Sequence, residues 1–193
     1  MEKKDVKILA VVGMCGSGKS TAIDYLIEKK IPKIYFGGII YKAMAEAGIE
    51  RTEDGESEKI FREEIRKKEG KDFVVKRVVK ETKDLIAAGQ KRIVLDGLYS
   101  WTEYKILRKE FPTEMTVVAI VVPKALRRKR LAIRPDRPFD AQAAAERDRS
   151  EIENLEKGGP IAIADYYVDN SGTIKEFHEK FAGLCKEIGF LDA

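Results

Sequence analysis

A chain of 193 residues, 44% of them hydrophobic, suits one α/β domain with a modest insertion and a substantial buried core. Its 37 basic and 33 acidic residues leave a net charge of +4, a dense but nearly balanced surface that does not indicate a nucleic-acid partner. No apolar run reaches the roughly 18 residues of a membrane span and the amino terminus has no secretory apolar region, while Cys15 and Cys185 form neither a disulfide framework nor a metal motif; a cytoplasmic protein away from membranes is expected. In chain order, Val6 to Val12 reads as a strand buried on both faces. It runs into Gly13-Met14-Cys15-Gly16-Ser17-Gly18-Lys19-Ser20-Thr21, which fits the P-loop pattern G-x-x-x-x-G-K-[ST]. The glycines let successive N–H groups turn inward as a nest, and the helix starting near Gly18 adds its positive dipole end, so the loop suits a polyphosphate. Lys19 is expected at the β- and γ-phosphates and the Ser20 hydroxyl on Mg²⁺, with Gly13, Cys15, Gly16, Ser17, Gly18 and Thr21 completing the cradle. The competing reading is a Gly-rich turn without a ligand. Cys15 either fills a variable position or, beside a helix N-terminus, is an oxidation-sensitive thiol.

The helix after the loop carries Ala22, Ile23, Leu26 and Ile27 at helical spacing and stops before Pro32. Lys33 to Phe36 reads as a second strand ending at Gly37-Gly38, followed by a helix from Ile39 to Ala47 that closes at Gly48. Beyond a polar connector, helices are expected over Ser57–Glu69 and Asp72–Ala88, split by Gly70. Such clustering marks residues 38–70 as a helical insertion covering the site. Arg92 to Leu95 forms a strand that delivers Asp96 at its carboxyl end, where open α/β sheets hold ligands. Asp96 is read as a metal-side or acceptor-orienting carboxylate, or as the N-cap of the next turn. Ser100-x-x-Glu103 is a capping box for a helix to Glu110.

Met115 to Val122 is the longest strand signal, and a helix from about Lys124 to Ile133 follows. The basic stretch from Lys124 to Arg149, centred on Arg134-Pro135-Asp136-Arg137-Pro138, suggests a lid over residues 133–140 facing phosphate, although Arg127, Arg128 and Lys129 read as a solvated helix face. Asp140 to Lys157 is predicted helical and ended by Gly158-Gly159-Pro160. Asp165–Asp169 forms the last strand, and Thr173-x-x-Glu176 caps a helix burying Ile174, Phe177, Phe181, Leu184, Cys185 and Ile188, with His178 on its solvated side. Strands alternating with helices behind a P-loop predict a three-layer α/β/α sandwich around a five-stranded parallel sheet, a P-loop NTPase of the nucleoside monophosphate kinase type.

Arg130-Leu131-x-x-Arg134 together with Ala164-Asp165-Tyr166-Tyr167-Val168-Asp169-Asn170-Ser171-Gly172 resembles the lid and final-strand pattern of dephospho-coenzyme A kinases. Arg62 to Gly70, Val94-Leu95-Asp96-Gly97 and Glu146-Arg147-Asp148 are similar to a mostly archaeal family of nucleotide-kinase-like proteins related to those enzymes. The resemblance implies ATP-dependent phosphoryl transfer with Mg²⁺ to a small nucleotide-like acceptor, by a monomer or weak homo-oligomer. It implies that Arg134 stacks by the adenine, that Arg137 clamps phosphate with Arg147 joining from the next helix, and that Asn170 and Gly172 lie near the donor base. Lys19, Asp96, Arg134 and Arg137 are the expected catalytic set, with Ser20 and Asp96 on the metal.

Two departures concern the acceptor. Gly38 stands where the relatives carry an acid, and Tyr41 and Leu98-Tyr99-Ser100 stand where they place arginines. Tyr41 and Tyr99 offer ring faces and hydroxyls, which suit a base or sugar. Charge is then expected from Arg62 and Arg66, one helical turn apart, or from Arg77, with Lys42 as a substitute. Alternatively Arg62 and Arg66 pair with Glu58, Glu63 or Glu69. The acceptor is a nucleoside or deoxynucleoside monophosphate or dephospho-coenzyme A. The alternative functions are a nucleotide-binding regulator or slow ATPase whose acceptor site has decayed, and a nucleic-acid-end kinase, which the absence of a basic stripe weakens.

Overall fold

In a computed structural model the described residues are 5–52, 56–70, 72–135 and 138–192, except for the side chains of Glu56, Lys59 and Arg66. Five strands, β1 (Lys7–Val12), β2 (Lys33–Tyr35), β3 (Arg92–Asp96), β4 (Met115–Val121) and β5 (Tyr166–Asp169), form one parallel sheet in the order β2-β3-β1-β4-β5. Helix α1 (Lys19–Glu28) follows β1, and α2 (Phe36–Glu46), α3 (Glu56–Glu69) and α4 (Phe73–Ala87) lie between β2 and β3. Helix α5 (Trp101–Glu110) leads to β4, while α6 (Lys124–Ile133), α7 (Ala141–Glu153) and α8 (Gly158–Ala162) separate β4 from β5. Helix α9 (Ile174–Glu187) follows the last strand.

Strand β1 explains the layering. Its side chains alternate, so Ile8, Ala10 and Val12 pack with Phe36, Met44, Val75 and Leu107 on one face. Leu9 and Val11 pack on the other with Ile23 and Leu26 of α1 and Phe177 and Phe181 of α9. A strand covered on both faces can be apolar throughout, as β1 is. Because the strands are parallel, their carboxyl ends share one edge, where Val11 lies beside Asp96 and Tyr35 beside Asp96 on the far side. Strand β1 has β3 on one side and β4 on the other, so the crevice that opens beyond it is the topological switch point of the sheet. Among the described residues, no helix is long and apolar enough to cross a membrane.

Local expectations hold where the signal is chemical. Both capping boxes form, with the Glu103 amide donating to Ser100 Oγ at 3.1 Å and the Glu176 amide to Thr173 Oγ1 at 3.2 Å. Several others are corrected. Strand β2 ends at Tyr35 and α2 starts at Phe36, because Phe36 is pulled into the core and Gly37 and Gly38 sit in the first turn rather than in a connector. A Cβ on Gly37 would lie 2.5 Å from the Tyr35 ring, so the glycine is what lets that ring fold over the helix start. Helix α7 stops at Glu153, four residues before the expected end, and Gly158 opens α8 instead of only closing α7. The break is a turn in which the Asn154 and Leu155 amides both donate to Ser150 O, and Glu156 takes a left-handed φ of 53°. Ile174, expected in the core, is 68% exposed at the first position of α9; Ile27 of α1 is exposed too. His178 is not on a solvated face: its ring lies 5.4 Å from that of Tyr25, beside Phe177, with Nε2 buried. Helix α3 places Phe61 in the main core and Ile65 against it, and so packs onto α2 and α4.

Candidate active site

The P-loop joins the end of β1 to α1, and each glycine in it has a physical reason. Gly18 has a φ of +97°, and a Cβ there would lie 2.1 Å from Asn170 Nδ2, so both backbone and space demand glycine. Asn170 Nδ2 donates to Ser17 O at 2.9 Å, bracing the loop from behind. Arg130 of α6 holds the brace in turn, donating to Asn170 O at 2.7 Å and to Gly172 O at 3.2 Å. The structure thus brings Asn170 and Gly172 to the back of the loop, and neither lines the cleft in front of it.

Arg127 corrects the expectation of a solvated helix face. It is 5% exposed, donates through Nη1 to Cys15 O at 2.9 Å and pairs with Asp148 at 2.7 Å; Arg128 reaches the same carboxylate at 3.3 Å. Burial works against ionisation of Asp148, yet the two arginines hold its pKa below the usual carboxylate value. Helices α6 and α7 are therefore fastened to each other and to the loop by charge.

In front of the loop lies a cleft of about 360 Å³. Lys19, Ser20 and Thr21 line one wall, Arg130 and Arg134 another, and Tyr99, Arg147, Glu151 and Lys157 the third. Lys19 Nζ donates to Gly13 O at 2.7 Å and Met14 O at 3.1 Å, so its ammonium is held over the loop's own carbonyls. Burial, and then the neighbouring Lys157 ammonium, lower its pKa from 10.5 to about 8. The guanidinium of Arg134 lies 4.5 Å from the centre of the Phe139 ring, which orients it along the cleft rim. Arg137 lies outside the described residues. A hollow of about 690 Å³ at the opposite end of the sheet, around Asp5 and Arg92, is larger but distant from the loop.

Glu151 and Lys157 line the cleft and are the residues there that sequence reasoning did not single out. Glu151 is 1% exposed and accepts the Cys15 amide at 2.8 Å through Oε2. Its other oxygen takes the ammonium of Lys157, itself 1% exposed, and Arg147 Nε at 3.3 Å. Burial alone would raise the pKa of Glu151, but Lys157, the Cys15 amide and Lys19 hold it below the usual value, so the carboxylate is ionised. Cys15 is a partly exposed free thiol.

The residues expected to hold a Mg²⁺ ion are Ser20, which is exposed, and Asp96, which is partly buried. Asp96 stands 3.6 Å from Lys33 Nζ, and burial raises its pKa against the pull of Lys33 and Lys19. Among the described residues no cluster of three or more acidic, His or Cys ligands exists. One hydroxyl and one carboxylate fit Mg²⁺, which keeps water and phosphate oxygens in preference to an all-protein cage.

On the acceptor side the expectations divide. Tyr99 lines the cleft and also a second hollow of about 450 Å³ that continues past it to Glu63, Ser100, Thr102 and Asn154. Its ring lies edge-on to Phe36 and under Lys157 at 4.9 Å, and burial pushes its phenol pKa far up. Tyr41 lines neither space; its ring is covered by Arg51 at 3.9 Å and faces Tyr35 at 6.4 Å. Arg77 pairs with Glu46 at 2.7 Å and lies over Phe73, among α2, α3 and α4, and lines neither the cleft nor the second hollow. Lys42, the substitute, pairs with Glu81 at 2.8 Å. Arg62 is half-buried and within electrostatic reach of Tyr35, while the side chain of Arg66 lies outside the described residues. Glu58, offered as a partner for those arginines, binds Arg51 instead.

Comparison with known proteins agrees with this geometry. An AAA domain model matches residues 9–156. A UPF0200 protein of Thermococcus kodakarensis is 32% identical over 184 residues, spanning 94% of this chain and 97% of that protein. A UPF0200/UPF0201 protein of Archaeoglobus fulgidus is 31% identical over 186 residues, 95% of this chain, and the chain covers only 56% of that longer protein. Among solved structures, a dephospho-CoA kinase from Campylobacter jejuni has a TM-score of 0.58 at 19% identity, covering 95% of this chain and 98% of its own. A shikimate kinase from Acinetobacter baumannii in complex with shikimate has a TM-score of 0.58 at 17% identity, with coverages of 97% and 99%. At these identities the two structures speak for the fold, a P-loop kinase fold.

Proposed function

We propose an ATP-dependent phosphoryl transfer for this chain, which belongs to the UPF0200 family and carries its AAA domain. The observation that supports it is the convergence of Lys19, Arg134, Arg147 and Lys157, from separate elements, on one cleft before a P-loop. Phosphoryl transfer asks little covalent chemistry of a protein; it asks for placed positive charge around a group whose oxygens gain charge in the transition state. Binding alone would need the loop and Lys19, whereas a lid arginine and two further cations on the opposite wall suit a group in transit.

In this reading Lys19 grips the β- and γ-phosphates, and the loop amides and α1 hold the donor. Arg134 covers the donor base, with Arg137 on phosphate. Ser20 and Asp96 would hold a Mg²⁺ ion, which when bound would supply neutralisation of the donor's negative charge. The acceptor hydroxyl approaches past Tyr99, whose ring and phenol suit a sugar or base, and the acceptor is a small nucleotide-like molecule: a nucleoside or deoxynucleoside monophosphate or dephospho-coenzyme A. The test is ADP release from ATP and Mg²⁺ over a panel of such acceptors, shikimate-like and sugar-like hydroxyl compounds included, against the acceptor-free rate. One acceptor raising the rate at least tenfold supports the reading, and Lys19→Ala should abolish that increase while leaving the fold intact. A second reading is favoured by one observation, that Arg77 and Lys42 are both spent on surface pairs. It is a nucleotide-binding regulator or slow ATPase, and nucleotide binding with no acceptor response across the panel would favour it.

A further inference from the structure

The Glu151 carboxylate sits in a shell of cations beside the P-loop. Around it stand the Cys15 amide at 2.8 Å, the Lys157 ammonium and Arg147 Nε at 3.3 Å, with Lys19 close enough to feel both Glu151 and Lys157. Three cations and a backbone amide thus surround one monoanion. The shell also has a definite place on the loop. Lys19, the residue that spans the β- and γ-phosphates in a P-loop, rests on the carbonyls of Gly13 and Met14, next to the Cys15 amide. Cys15, Lys19, Arg147, Glu151 and Lys157 all line the one cleft before the loop, which puts the shell within that cleft.

We propose that Glu151 occupies the terminal-phosphate seat of the nucleotide-free protein and is exchanged for the γ-phosphate of ATP, which then takes Lys157 and Arg147 as its own contacts. The proposal rests on the phosphoryl-transfer reading above. It makes Lys157 a catalytic residue, in contact with the transferring group, and Glu151 a residue that sets the discrimination between di- and triphosphate. The exchange follows from charge. Two anions a few ångströms apart in a cleft walled by protein repel strongly, so the γ-phosphate cannot add to a seat that still holds the carboxylate. Arg147 can serve both sides of the exchange: its side chain is 46% exposed, so it can release the carboxylate and still reach a phosphate in the cleft that it lines. Lys157 lies in the break between α7 and α8, as the N-cap of α8 and next to Glu156 with its left-handed φ of 53°, and its amide donates to Glu151 O at 3.0 Å, so the two residues of the pair are also joined through the backbone. Lys157 Nζ also lies over the face of Tyr99, the residue common to the donor cleft and the second hollow, which places this cation between donor and acceptor.

The proposal differs from a purely structural ion pair in what it does to nucleotide preference. ADP never needs the seat; ATP does. Calorimetric titration of the wild type with Mg²⁺-ADP and with the Mg²⁺ complex of a β,γ-imido analogue of ATP should give affinities within about threefold, because the gain from the third phosphate is offset by displacing Glu151. In Glu151→Gln the analogue should tighten by about tenfold or more while ADP changes by less than about twofold, since the competing charge is gone but the amide side chain keeps the shape. Lys157→Gln should do the reverse, weakening the analogue about tenfold or more and sparing ADP. A wild type that prefers the analogue by more than tenfold, or a ratio that does not move in either variant, overturns the exchange. Should Glu151→Gln fail to fold, the wild-type ratio and Lys157→Gln decide. Binding of neither nucleotide to the wild type would defeat the phosphoryl-transfer reading itself, whereas binding of both with an unmoved ratio defeats only the exchange.

Discussion

Lys19 must be charged to meet a phosphate, and in the nucleotide-free protein its pKa has fallen from 10.5 to about 8 through burial and the nearby Lys157 ammonium. A bound diphosphate offsets both causes by placing opposite charge on the ammonium, so the bound state holds the proton more tightly than the free state. Binding therefore takes up a proton wherever free Lys19 is neutral, and affinity is complete below pH 8 and lost as pH rises above it. If the bound lysine regains its ordinary value of 10.5, linkage at pH 9.5 leaves the free site mostly neutral and the bound site charged, a loss of about thirtyfold in affinity for ADP. Calorimetry of Mg²⁺-ADP binding between pH 7.5 and 9.5 at fixed ionic strength measures it, and repeating the titration in buffers of different ionisation enthalpy counts the proton taken up. Lys19→Arg is the control: a guanidinium stays charged throughout, so whatever affinity it retains should be flat with pH. Wild-type affinity constant to within about twofold over that range, or the same slope in Lys19→Arg, would refute the assignment of the depressed group to Lys19.

Asn170→Ala removes a buried amide from the Ser17 carbonyl and should cost about 1–3 kcal/mol, a fall in melting temperature of roughly 3–10 °C for a chain of this size, with weaker ADP binding because the loop loses its brace. An unchanged melting curve would show that Arg130 and the backbone hold the loop without it. Gly97 and Gly89 both have left-handed φ values, +106° and +92°, but a Cβ on Gly97 would lie 2.6 Å from the Tyr99 ring while nothing lies within 4 Å of one on Gly89. Urea unfolding should thus find Gly97→Ala the more destabilising by about 1 kcal/mol or more, and equal costs would mean that Tyr99 is not pressed against that glycine.

What the sequence made legible was local. The strand before the P-loop, the glycines at φ-restricted positions, and the capping boxes at Ser100 and Thr173 each carry their own chemistry within a few residues, and each is found in place. The sheet followed from the alternation of strands and helices, because parallel strands need crossovers and crossovers that cover both faces leave the strands apolar. Boundaries failed where a tertiary contact outweighed propensity. Two glycines after Lys33–Phe36 read as a turn, but in the fold they are the surface on which the Tyr35 ring rests, and the core contact of Phe36 carries the helix back across them. The acceptor side was least legible for a related reason. Arg77 and Lys42 have the right charge and about the right place in the chain, yet a helix can turn such residues to any azimuth, and here they face Glu46 and Glu81.

The charges on α6 and α7 show the harder limit. In sequence, Arg127 reads as part of a solvated helix face, Arg147 enters only through the resemblance, and nothing singles out Glu151 or Lys157, since surface pairing of charges on helices is weak and uninformative. What makes Arg127, Glu151 and Lys157 different is burial against the P-loop, a contact that joins Cys15 to Glu151 across 136 residues of chain and that no short-range pattern encodes. Physical chemistry gives this burial a meaning that surface pairs lack. Burying an ion pair costs several kcal/mol of desolvation per ion, and apolar side chains of similar volume often serve stability as well or better. A fold needing only to close α7 and α8 onto the sheet could have done so with leucines. Here the buried charges are placed on the Cys15 carbonyl and the Cys15 amide, on either side of one loop residue, with Lys19 above and Tyr99 beneath Lys157. Their positions thus track the P-loop rather than the core, which is what the proposed handling of a phosphate asks for and the packing of two helices does not.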